Sequence, residues 1–101
     1  MATAIKNIGT IVSGDVKKPV LEGDTIVVSE GKISEIGNAG ILGKYEIDRV
    51  VDAKGATVIP GLIDSHVHPV LGDFTPRQNT LGYLEGGLHG GVTTMISAGE
   101  R

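Results

Sequence analysis

A chain of 101 residues with 40% hydrophobic and only 3% aromatic content has the length of one ordinary domain, with a modest core of Ile, Val, Leu and Ala. The net charge of −3 argues against nucleic acid and anionic membrane as partners, and the lack of cysteine excludes disulfides, thiolate ligands and cysteine nucleophiles. No apolar run reaches the roughly 20 residues of a membrane span, and Met1 to Lys6 do not open a signal peptide, so the composition reads as that of a cytoplasmic protein.

Sixteen glycines point to many turns rather than a helical bundle. Ala4 to Val12 reads as a first strand, closed by Ser13-Gly14-Asp15. Lys17-Lys18 reads as a solvated pair, and Pro19 fits a central strand poorly. Thr25 to Val28 is β-branched, and Lys32 to Ile36 alternates polar with apolar residues. With Ser29-Glu30-Gly31 between them, these two strands predict a β-hairpin. Gly37 to Lys44 reads as a glycine-rich loop. Arg49 to Asp52 and Thr57 to Ile59 are two further short strands, divided by an Ala53-Lys54-Gly55 turn.

The character changes near residues 53 to 60, where a boundary is expected. Leu62 to His66 reads as an apolar strand, and Pro69 to Phe74 as a loop. A helix is predicted over Pro76 to His89, with Leu81, Leu84 and Leu88 at spacings of three and four. Thr75 is its candidate N-cap and Asp73 a plain loop or helix cap, while Gly86 and Gly87 weaken it and Gly90-Gly91 end it. Val92 to Ser97 is a second buried strand. Strand, helix and strand over residues 62 to 97 make one βαβ unit with parallel strands.

The chemistry concentrates in Asp64-Ser65-His66-Val67-His68. In a regular strand, Asp64, His66 and His68 point to one side. Two residues of rise put the histidine Cα atoms roughly 7 Å apart, close enough for both imidazoles to meet one metal ion. The plain alternative is a pair of polar residues at a strand end. Asp64 lies one step deeper and is read as supporting the ligands rather than binding metal. His89, near a helix end, is read as interacting with the helix dipole. Gly90-Gly91 lack the lysine and the spacing of a phosphate loop.

Pro60-Gly61-Leu62-Ile63-Asp64-Ser65-His66-Val67-His68 resembles the metal-binding signature of the amidohydrolase superfamily, and Gly90-Gly91-Val92-Thr93-Thr94 resembles that family's second barrel strand. A narrower resemblance, to the bacterial enamidases, lies in Ile5 to Gly9, Ile11 to Asp15, Thr75 to Thr80 and Leu88 to Gly99. The superfamily resemblance implies a fold of two parts. Residues 1–56 would belong to a small β-sandwich, completed in the family by the carboxyl terminus. Residues 57–101 would open a (β/α)₈ TIM-like barrel with its first βαβ unit. His66 and His68 would ligate a divalent metal, zinc first, with iron, manganese or nickel as alternatives. Family members complete the site with a carboxylate or carboxylated lysine, two more histidines and a late aspartate from later strands.

The enamidase resemblance implies hydrolysis of a cyclic amide C–N bond, in 6-oxo-tetrahydronicotinate. Arg77 would then be a candidate for the substrate carboxylate, against the plainer reading of a solvated arginine in a first helical turn. Dihydroorotase- and imidazolonepropionase-like hydrolases share the motifs seen here, and a non-catalytic binding or assembly module is the alternative from another class. A full barrel takes about 250 residues, and catalytic zinc needs three protein ligands where this motif supplies two. The chain is therefore expected to be an amino-terminal fragment, inactive and weakly metal-binding alone. Its open strand edges and apolar faces predict self-association or pairing with a complementary chain.

Overall fold

The computed structural model describes residues 1–67 and 80–97. The chain divides into two units, Met1–Pro60 and Gly61–Arg101.

In the first unit the strands are β1 (Ala2–Lys6), β2 (Thr10–Val12), β3 (Val20–Leu21), β4 (Thr25–Ser29), β5 (Lys32–Gly37), β6 (Ile47–Asp52) and β7 (Thr57–Val58). They form a four-stranded sheet in the order β5-β4-β1-β6 and a three-stranded sheet in the order β3-β2-β7. β1 runs antiparallel to β4 and parallel to β6. β4 is buried at Thr25, Ile26 and Val27, as a β-branched run inside a sheet should be.

The predicted hairpin is present as β4 and β5. Its loop is only Glu30-Gly31, with φ of 52° and 76°. Positive φ at both central residues matches the twist of the flanking strands. The ladder skips a residue of β5 between the pairs Val27–Glu35 and Val28–Ile33.

Two expectations need correction. Ala4 to Val12 is two strands, because the chain bends at Asn7, where φ is 57°. The bend carries β1 from the four-stranded sheet to β2 in the three-stranded one. The chain makes a matching switch from β6 to β7, around Lys54 with φ of 52°. Hydrogen bonds tie the two corners together: Ala53 N to Lys6 O at 2.8 Å, Gly55 N to Asn7 O at 2.7 Å and Gly9 N to Ala56 O at 2.9 Å. Asn7 Nδ2 and the Lys54 backbone N–H both donate to Asp52 Oδ1. Those two contacts hold the Asp52 carboxyl below the usual aspartate range. Second, the Gly37 to Lys44 loop contains a 3₁₀ turn, Ala39–Lys44, capped by the Asn38 side chain. In keeping with Pro19 as a poor fit for a central strand, the two-residue strand β3 that follows it lies at a sheet edge, where proline is tolerated.

Two apolar clusters result. Ile8, Ile11 and Ile26 pack with side chains from both sheets, including Ile5, Leu21, Val28, Ile36 and Val58. Ala2, Val27 and Ile41 form the other cluster, with Leu42, Tyr45 and Ile47 against it. The 3₁₀ turn is also tethered electrostatically. Lys44 Nζ reaches Glu35 Oε2 and Tyr45 Oη donates to Glu35 Oε1, both at 2.8 Å.

The Lys44 and Tyr45 hydrogen bonds hold the Glu35 carboxyl below the usual glutamate range. Glu35 in turn raises the pKa of Lys44 and of Tyr45. A depressed carboxyl contributes stability above its unfolded pKa and loses it as pH falls through the folded value. The raised lysine and tyrosine contribute below their unfolded values and lose it as pH rises through the folded ones. The tether is thus expected to hold at neutral pH and release in acid below the ordinary glutamate range. Amide exchange at Ile41 and Tyr45, followed by NMR against pH, should show that acid release in wild type and lose it in Glu35→Gln. An unchanged acid transition in the variant would count against the tether.

The second unit contains β8 (Leu62–Val67), α1 (Thr80–His89) and β9 (Val92–Ser97). β8 and β9 are parallel, as the strand-helix-strand reading requires. The predicted helix is described from Thr80; its expected start at Thr75-Pro76 lies outside the described residues. Gly87 does not interrupt α1. A Cβ there would meet the flexible end of the Met95 side chain, which can move aside.

Candidate metal centre

Pro60-Gly61 leads into β8, and Leu62 N donates to Gly91 O at 2.8 Å. A Cβ on Gly61 would collide with the Thr93 side chain. The glycine of the Pro-Gly-Leu-Ile-Asp run is therefore a packing requirement: only hydrogen fits where β9 comes alongside.

β8 pairs with β9 as Leu62–Val92, Ile63–Thr94, Asp64–Met95 and Val67–Ser97. Between the last two pairs, three residue steps on β8 face two on β9. The regular alternation expected from Asp64 to His68 is thus interrupted at Ser65-His66. Such irregularities re-aim side chains and occur preferentially beside functional sites. Asp64 and His66 are exposed, whereas Val67 is buried. The His66 backbone N–H donates to Asp64 Oδ1 at 3.3 Å.

His66 lies near the carboxyl end of a parallel strand, the end at which open and closed α/β sheets bind ligands. His68 and Arg77 lie outside the described residues. His89 ends α1 and is exposed, a position suited to the helix dipole. Among the described residues, no three His, Cys, Asp or Glu side chains gather as a metal group. The donor chemistry of His-x-His suits zinc or a related transition metal, while the ligand number falls short of a complete catalytic site.

Among the described residues, two depressions lie away from His66. One, of about 220 Å³ in the first unit, is lined by apolar residues including Ile11, Leu21, Ile26, Ile33, Ile36 and Val58. The other, of about 350 Å³, is formed by Leu84, Leu88, Val92, Thr93 and Met95. Neither contains a titratable side chain or His66. Sequence reading missed the Asp64 contact to the His66 backbone. The signal was there: aspartate two residues ahead of an N–H is the spacing of an Asx turn.

No family model matches the chain. Enamidase of Eubacterium barkeri is 56% identical over 98 residues, which is 97% of this chain and 25% of that protein. A crystal structure of enamidase, described as a new member of the amidohydrolase superfamily, superposes with a TM-score of 0.84 at 54% identity. It matches 99% of this chain and 26% of its own. The chain belongs to the amidohydrolase superfamily. Within it, the sequence is enamidase-like and matches the amino-terminal part of the fold. Imidazolonepropionase of Pseudomonas entomophila is 43% identical over 85 residues, 78% of this chain and 21% of that protein. The chain spans about a quarter of the length of these curated relatives. The strand-rich architecture is that of the amino-terminal part of amidohydrolase structures.

Proposed function

We propose that this sequence contributes to a metal-dependent hydrolase that opens a cyclic amide C–N bond, with 6-oxo-tetrahydronicotinate as the substrate. The first unit is assigned to the sandwich segment and the second to the opening βαβ unit of a (β/α)₈ barrel, with the division at Pro60–Gly61 rather than the expected 56–57, because Thr57 and Val58 pair with β2. The observation that carries the reading is the 56% identity to enamidase across 97% of the chain. His66 and His68 are the proposed ligands of a divalent metal, zinc first, with iron or manganese as alternatives. When bound, such a metal polarises the scissile carbonyl and acidifies water toward neutral pH. The chain's own residues supply imidazole nitrogens at the end of β8 and the packing that holds β8 beside β9. Arg77 is the proposed partner of a substrate carboxylate. Two imidazoles fall short of three protein ligands, so the 101-residue chain by itself is expected to lack turnover.

A chimera tests the reading. This chain replaces the amino-terminal quarter of the Eubacterium barkeri enamidase, and hydrolysis of 6-oxo-tetrahydronicotinate is followed. Turnover is expected, and its loss on His66→Ala. A chimera that folds and loads metal but leaves the substrate intact would overturn the proposal. Opening of imidazolonepropionate instead would favour the reading supported by the Pseudomonas relative.

Location and association complete the proposal. No helix among the described residues is long and apolar enough to cross a membrane. A cytoplasmic location rests on composition. Leu62, Ile63, Leu81, Leu88 and Ile96 in the second unit are all exposed. Apolar side chains left in water favour association, so the isolated chain is expected to self-associate. A stable monomer at high concentration in sedimentation velocity counts against this.

A further inference from the structure

We propose that Asp64 is a positioning residue for His66: its side-chain oxygen holds the strand backbone at the point where the β8–β9 ladder slips, and so sets the direction of the imidazole. The consequence for metal rests on the ligand reading proposed above; the backbone role does not.

The geometry has two parts. The His66 N–H donates to Asp64 Oδ1 at 3.3 Å. That contact runs from residue i+2 back to residue i, the reach of a short side chain with an sp² oxygen. It also falls within the stretch where three steps of β8 oppose two of β9. A slipped ladder constrains the strand less than a regular one, and a bulge turns the side chains that follow it. An acceptor one turn of the pleat earlier restores the constraint. It does so through Oδ1, by a contact to a backbone donor that needs no metal.

The mechanism needs an oxygen at the right reach and does not need a charge. Asparagine keeps the reach and loses the charge. Glutamate keeps the charge but lengthens the side chain by one methylene. The two substitutions therefore separate positioning from ligation.

The experiment uses the 101-residue chain as wild type, Asp64→Asn and Asp64→Glu. Amide exchange at His66 is read by NMR, and Zn²⁺ binding by calorimetry. The amides of Val92 to Ser97 verify that β9 stays paired. Asp64→Asn is expected to match wild type in both measurements. Asp64→Glu should speed His66 exchange by about fivefold or more and weaken Zn²⁺ binding by about tenfold, the scale on which partners of metal ligands act.

Equal loss of Zn²⁺ binding in both variants would make Asp64 a ligand and overturn the proposal. So would a glutamate variant that behaves as wild type, or an asparagine variant whose His66 amide is released. If wild type takes up no Zn²⁺, the ligand reading fails. The His66 amide then decides alone: protection in asparagine and release in glutamate support the backbone role, and any other order removes it.

Discussion

In the chimera with the Eubacterium barkeri enamidase, replacing His66 with alanine is expected to weaken Zn²⁺ binding by about 100-fold or more, because even partners of metal ligands are worth 10–100-fold. The fold should hardly notice. His66 is exposed, so replacing it opens no cavity in a core. The pairing of effects matters more than either alone. A buried structural histidine would lose stability along with any ligand; a strand-end ligand loses only affinity. Calorimetric titration with Zn²⁺ and urea unfolding read the two quantities separately. His89→Ala provides the contrast, since its place at the end of α1 suits a dipole contact. Equal Zn²⁺ affinities for wild type and His66→Ala would remove the metal reading of the motif.

Ile26→Ala should cost the first unit about 3 kcal/mol, within the range for truncating a buried isoleucine. Ile26 is 5% exposed and stands in the cluster fed by both sheets. Removing it leaves a cavity beside Ile8 and Ile11. Ile33, on the adjoining strand of the same hairpin, is 62% exposed. Ile33→Ala should therefore cost less than about 0.5 kcal/mol. Urea unfolding followed at the β4 amides by NMR measures both. A small effect at Ile26 would mean that the two sheets do not share a core in solution.

Both expectations depend on how far local patterns reach. The β4–β5 hairpin was legible because its information is local. A β-branched run, an alternating run and a Glu30-Gly31 loop specify one another across a few residues. The division of Ala4 to Val12 was not legible. Its apolar pattern suits a strand throughout, and the bend at Asn7 exists because β6 and β7 make the same switch alongside and share hydrogen bonds with it. The 3₁₀ turn was hidden for the same reason. A glycine-rich stretch is held by Ile41 in an apolar cluster and by the Lys44 and Tyr45 contacts to Glu35, nine and ten residues back along the chain.

The site divides along the same line. His66-Val67-His68 after Pro60-Gly61-Leu62-Ile63-Asp64 is a statement of ligand type and strand context, and residue identity alone carries it. The superfamily and the parallel strand-helix-strand pattern were legible there, and the ligands are proposed from it. Where His66 sits in its ladder was decided only by the tertiary structure. Register is a property of two strands, so the slip between Asp64 and Val67 is invisible until β9 is placed beside β8. The same holds for Gly61, whose missing side chain has meaning only against Thr93 on the neighbouring strand. Chemistry is written in single residues; direction comes from the partners they pack and bond with.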